Sequence, residues 1–210
     1  MKKTISILLC MMFILSAGAL AGCKKKPGPS VVNYGDVKYV EYNDGSAVTF
    51  QYLSCYGFAS DEGMAFVANT PDDKGVLSYE FYDSFKDYSA ESYRIPSRKY
   101  SEIAAYSDEE AQDYLKIALG LVDSQNIEYT IDRSEFEKAE KHVRLYMEVT
   151  AEYRSSGEIQ KMWIEKYVIN NERVYTINAF IPIDAVNKYG PAFKDVTFDL
   201  ESALTPTVGD

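Results

Sequence analysis

The chain is 210 residues long, 46% hydrophobic and 14% aromatic, with a formal charge of −10. That length holds one domain with a real core, and a surface this acidic excludes nucleic acid as a partner. A single histidine, with no C-x-x-C and no H-E-x-x-H, excludes the common zinc sites.

At the N-terminus Lys2 and Lys3 precede an apolar run from Ile5 to Leu20, which turns to small residues at Ser16, Ala17, Gly18 and Ala19. This is the grammar of an export signal, and the run falls short of the ~20 residues that cross a bilayer core comfortably. The next four residues, Leu20-Ala21-Gly22-Cys23, resemble the lipobox of bacterial lipoproteins. The resemblance implies that the Cys23 thiol carries the lipid, palmitate included, and that cleavage leaves Cys23 as the new N-terminus. Residues 1–22 are then a signal peptide, and the mature chain is expected to be anchored on the extracytoplasmic face of a bacterial membrane.

Losing Lys2 and Lys3 with that signal lowers the formal charge to −12. Lys24, Lys25 and Lys26 would sit beside the acyl chains and add about 1 kcal/mol each of attraction to an anionic leaflet. Residues 23–36 read as lipidated cysteine and flexible tether, 37–204 as one globular domain, and 205–210 as a tail. Cys10 leaves with the signal and Cys23 is committed to lipid, so Cys55, in TFQYLSCYGF, is expected to be a lone buried thiol.

Two short strands, Val37–Tyr42 and Ala47–Ser54, flank Asn43-Asp44-Gly45, a hairpin signal. Met64–Asn69 and Val76–Tyr82 form a second pair around PDDKG. The segment from Ser84 to Tyr106 is rich in tyrosine and has no clear period. Tyr88, Tyr93 and Tyr100 make it a candidate partner surface, because tyrosine supplies contact area at modest entropic cost.

Ser107 and Glu110 have capping-box spacing. Ala111, Tyr114, Leu115, Ala118, Leu121 and Val122 then follow on one face at helical period. Beyond a strand at Ile127–Ile131 the spacing predicts a meander: His142–Tyr153, Ile159–Asn170 and Val174–Ile183. Pro191 is expected to open a last helix with Phe193, Val196 and Leu200 inward.

If both meander turns are two-residue loops, Val143, Leu145, Met147 and Val149 share a face with Met162, Ile164, Val168, Tyr175, Ile177 and Ile181, with Lys166 as the intruder. The opposite face then carries rows Glu148–Glu165–Asn178, Tyr146–Tyr167–Thr176 and Thr150–Trp163–Phe180. Carboxylates directly opposite each other repel, so Arg144, Lys161, solvent or a cationic or hydroxyl-rich ligand must offset Glu148 and Glu165. Tyr146, Glu148, Trp163, Glu165, Tyr167 and Asn178 are the candidate ligand-binding residues, since aromatics beside carboxylates suit sugars and peptides.

No catalytic residue, metal site or cofactor is assigned. The G-x-S-x-G elbow and the Gly-rich phosphate loops are absent, and the acidic pairs Asp61-Glu62 and Asp72-Asp73 lack calcium-loop spacing.

Strands, helix, strand, meander and helix in that order give an α+β domain: an antiparallel sheet of about six to seven strands with helices packed on it. The stretch EKYVINNERVYTINAFIPIDAVNKYGPAFKDVTFDL, a hairpin ahead of an amphipathic helix, resembles the PsbP-like fold, an α/β/α sandwich. A cystatin-like or nuclear-transport-factor-like sheet is the alternative. The PsbP-like resemblance implies an accessory or assembly role, and the chain is expected to be a monomeric, non-enzymatic module that binds an envelope protein or small ligand. An envelope enzyme using paired carboxylates, or a tyrosine-rich interaction protein, are the other readings.

Overall fold

The computed structural model describes residues 30–34, 37–54, 56–61, 65–69, 74–82, 99–122, 125–189 and 192–205. The signal segment, Cys23, Lys24–Lys26, Cys55, Tyr88 and Tyr93 lie outside the described residues.

The chain begins with strands β1 (Ser30–Tyr34), β2 (Val37–Asn43), β3 (Val48–Leu53), β4 (Gly57–Asp61), β5 (Ala65–Asn69) and β6 (Val76–Tyr82). Helices α1 (Tyr100–Ala104) and α2 (Asp108–Ala118) follow. The meander is β7 (Ile127–Lys138), β8 (His142–Tyr153), β9 (Glu158–Ile169) and β10 (Val174–Pro182). Helix α3 (Ile183–Tyr189), β11 (Phe193–Phe198) and α4 (Leu200–Leu204) complete the order.

Two antiparallel sheets result, β1-β2-β3-β11 and the larger β4-β5-β6-β10-β9-β8-β7. The domain is therefore α+β with a small helical share. The expected single sheet with helices on both sides is corrected: helices cover one face of the larger sheet, and the smaller sheet with α3 and α4 covers the other.

On the helical face, α1 and α2 bury Ile103, Ala111, Tyr114 and Leu115 against Val143, Leu145, Met147, Val149 and Ile164. The capping box forms as its spacing predicts, with Glu110 N donating to Ser107 Oγ at 3.2 Å and Ser107 N to Glu110 Oε2 at 2.8 Å. Ser107→Ala is expected to cost about 1 kcal/mol, read as a lower urea midpoint; an unmoved midpoint would show the cap to be idle. Val122, expected on the inner face, is exposed because α2 has ended at Ala118.

Between the sheets the core is aromatic. Phe50 lies 5.3 Å from Tyr42 and 6.0 Å from Tyr79, and Trp163 meets Phe193 at 6.4 Å. Asp44, in the β2–β3 turn, joins the layers. Its Oδ1 accepts from Ser46 N at 2.7 Å and Val48 N at 3.1 Å, and its Oδ2 accepts from the Tyr79 hydroxyl at 2.5 Å. At the chain's far end, buried Arg173 donates to Ala203 O at 2.8 Å and to Thr205 O. It thereby satisfies carbonyls at the C-terminus of α4.

Several elements differ from the sequence expectation for local reasons. Ser30–Tyr34, expected within the tether, pairs with β2. Beyond Ile131, β7 continues to Lys138 across an irregularity at Asp132, where alternating charges conceal the strand.

The stretch expected as a helix from Pro191 contains strand β11 instead. Phe193 pairs with Tyr52 and Phe198 with Val48, a spacing of five against four, the excess absorbed between Lys194 and Thr197. Asp195 takes φ 52° there. That bulge turns both phenylalanines inward and erases the period-two pattern.

The meander registers shift as well. The β8–β9 turn spans residues 154–157, so Tyr153 pairs with Glu158 and every partner moves by two, keeping its face. The β9–β10 turn spans 170–172, with Ile169 N bonded to Arg173 O and Glu172 at φ 70°. An odd loop turns each β10 side chain to the other face of the sheet. Thr176, Asn178 and Phe180 therefore lie on the helical face, and Tyr175, Ile177 and Ile181 on the inter-sheet face.

Candidate functional site

The face opposite the helices changes character from β10 to β7. The observed rows are Glu137–Arg144–Tyr167–Tyr175, Glu135–Tyr146–Glu165–Ile177 and Arg133–Glu148–Trp163–Ala179. The expected row Glu148–Glu165–Asn178 does not exist. Glu148 stands opposite Trp163, Glu165 opposite Tyr146, and Asn178 is on the other side, where its Nδ2 donates to Ser78 Oγ at 2.9 Å.

Glu165 is 3% exposed. It accepts from Arg144 Nε at 2.5 Å and from the Tyr167 hydroxyl at 2.8 Å. Arg144 also reaches Glu135 at 2.8 Å and Glu137 at 2.9 Å. Burial works against the guanidinium charge, but Glu165 and Glu135 outweigh it and hold its pKa above the ordinary arginine range. Glu135, whose strongest partner is Arg144, also pairs with Arg133 and sits below the usual carboxylate range.

Glu148 forms a second node. It accepts from Lys161 Nζ at 2.9 Å, and Lys161 donates to Asp132 at 2.8 Å. Partial burial raises the Asp132 carboxyl, but Lys161 and Thr150, the latter at 2.7 Å, pull it below its ordinary value.

The tyrosines bridge the nodes. The Tyr146 hydroxyl faces Glu148 at 3.4 Å, while Arg133 and Arg144 lie 5.1 and 5.4 Å from its ring centroid. Burial first, then Glu148, raises the Tyr146 hydroxyl above its ordinary range, and burial with Glu165 does the same to Tyr167. Both remain neutral donors across physiological pH.

Five of the six candidate ligand-binding residues thus share a face, while Asn178 does not. Trp163 is 4% exposed beneath β11, so its ring is core and is not presented for stacking on a ligand. Lys161 and Arg144, the cations expected to offset the glutamates, do so directly. The residues missed were Asp132, Arg133, Glu135 and Glu137 of β7. The period-two spacing of Arg133, Glu135 and Glu137 was the available signal.

Among the tyrosines proposed for partner contact, Tyr100 is a structural tie. Its hydroxyl donates to Ala139 O at 2.9 Å and Glu140 O at 3.0 Å, fastening α1 to the β7–β8 turn. Among the described residues no group of three or more His, Cys, Asp or Glu is placed to hold a metal ion, and no helix is long and apolar enough to cross a membrane.

No family model matches the chain, and no curated protein matches it. Among solved structures, the solution structure of cyanobacterial PsbP (CyanoP) from Synechocystis sp. PCC 6803 is similar, with 12% identity and a TM-score of 0.42. The match covers 84% of this chain and 99% of that one. At that level no residue role passes from one chain to the other.

Proposed function

We propose that this chain is a lipid-anchored extracytoplasmic module of a bacterial envelope, non-enzymatic, which binds a partner protein or small ligand. The observation that carries the reading is Leu20-Ala21-Gly22-Cys23, placed after a basic start and an apolar run too short to span a bilayer as a mature helix. Small residues suit a cleavage pocket, and only a thiol supplies the nucleophile for lipid transfer. Lys24–Lys26 then lie at the headgroups while the acidic body stands off an anionic surface. A PsbP-like body belongs to the same proposal.

The charged face supports the non-enzymatic part. Acid–base work by a carboxylate pair needs two groups that converge on one bond and are free to exchange a proton. Glu165 is taken up by Arg144 and Tyr167, and Glu148 by Lys161, on different rows of the sheet. The geometry is that of an ion-pair lattice running across β7, β8 and β9.

Metabolic labelling with radioactive palmitate tests the anchor. Wild-type protein is expected to take up label and migrate as the shortened form, and Cys23→Ser to lose the label completely and accumulate as precursor. A labelled, processed Cys23→Ser protein would overturn the reading.

A further inference from the structure

We propose that His142 is an acid-sensitive latch between the two sheets. It is the sole histidine of the chain. It opens β8 opposite Ile169, with its ring 6.4 Å from Tyr167 of β9 and 5.6 Å from Phe198 of β11. Phe198 in turn stacks on Tyr167 at 4.2 Å and meets Tyr175 edge-on at 5.6 Å. Phe198 is the last residue of β11 in the smaller sheet, whereas His142, Tyr167 and Tyr175 belong to the larger one. The imidazole is thus part of the aromatic clasp that holds the end of β11, and α4 immediately after it, against the meander.

The half-buried ring is enclosed unevenly. Nδ1 is buried and has no hydrogen-bond partner, so the neutral tautomer with the proton on Nε2 leaves a bare lone pair inside the clasp. Acid places an N–H and a positive charge at Nδ1, where no acceptor waits. A buried donor without a partner destabilises the packed state.

The surrounding charges do not rescue it. Glu137 faces the ring from β7, but that carboxylate already binds Arg144 of β8 at 2.9 Å. From β9 comes the neutral Tyr167, and from β11 the apolar Phe198. The Tyr167 ring centroid, at 6.4 Å, is beyond the ~6 Å reach of a cation–π contact, and Phe198, at 5.6 Å, lies near its limit.

Burial therefore outweighs Glu137 and lowers the imidazole below its usual 6.5. With the native value depressed, His142 contributes stability that is full above about pH 6.5. That stability is lost as pH falls through the native value. The first structure to loosen is the end of β11, because Phe198 is the residue of the smaller sheet that the imidazole touches, whereas Phe193 on Trp163 and Arg173 on α4 are unaffected by its charge.

The test follows the imidazole resonance of His142 by NMR, alongside hydrogen-exchange protection of the β11 amides, as pH is lowered on the full chain. Expected are a titration midpoint below 6.5 and a fall in β11 protection of up to about tenfold per pH unit over that titration. In His142→Phe, β11 protection should be flat across the same range. His142→Gln, neutral and polar, serves the same purpose if the phenylalanine variant fails to fold. A midpoint at or above 6.5, or a fall in β11 protection that persists unchanged in the variant, overturns the proposal.

Discussion

Arg144→Met is expected to lower the stability of the fold by about 3–5 kcal/mol, because it leaves the buried Glu165 carboxylate without its cation. Glu165 would keep the Tyr167 hydroxyl, which alone cannot replace a charged partner. Adding Glu165→Leu should restore most of the loss, since a matched apolar pair avoids the desolvation that the ion pair bears. Chemical denaturation of the two single variants and the double variant closes the cycle. Additive losses would show that Arg144 and Glu165 do not act as a unit.

The same variant carries a pH signature. Arg144 first, and Arg133 second, hold Glu135 below the usual carboxylate range. That contribution is present at neutral pH and is lost as pH falls through the depressed value. Without Arg144 the Glu135 titration should move upward, toward the ordinary range.

Asp44→Ala is the second large effect, with an expected cost of about 3 kcal/mol. Asp44 holds its own turn through Ser46 N and Val48 N, and the larger sheet through Tyr79. The substitution leaves the Tyr79 hydroxyl, on a residue 2% exposed, as a donor facing the core. Tyr79→Phe removes donor and demand together and should cost about half as much. Thermal melts compare the two. An Asp44→Ala protein that melts like wild type would show that the turn, and no side chain of it, joins the layers.

Those effects rest on geometry that was only partly legible from the residues. Spacing was sufficient where one local signal acted alone. Asn43-Asp44-Gly45 marked its hairpin, Ser107 and Glu110 their capping box, and the alternation in His142–Tyr153 its strand.

Legibility failed where one residue more or less reverses a face. The three-residue loop 170–172 moved Asn178 and Thr176 off the predicted site, and no composition signal distinguishes it from a two-residue turn. The bulge beside Asp195 made a strand look helical, because Phe193, Val196 and Leu200 all pack on the core at spacings of three and four. In β7, charges on a partly exposed edge strand resemble a loop until their partners Arg144 and Glu148 are known.

The charged face therefore changes meaning once its register is known. Read with two-residue turns, it set two carboxylates side by side and asked for a ligand. In the fold, Arg133, Arg144 and Lys161 thread between Asp132, Glu135, Glu137, Glu148 and Glu165. Long edge strands invite pairing with other chains, and charges with a bulge at Asp132 are a known protection against it. An edge protected in this way resists strand addition by other chains.

The central claim, a lipid-bearing Cys23 at the start of the mature chain, is tested most directly by mass spectrometry of the N-terminal peptide of protein extracted from cell membranes. The proposal predicts a peptide that begins at Cys23 and carries the mass of a diacylglyceryl group on its sulfur. A peptide that begins elsewhere, or an unmodified Cys23 in the mature protein, would contradict it.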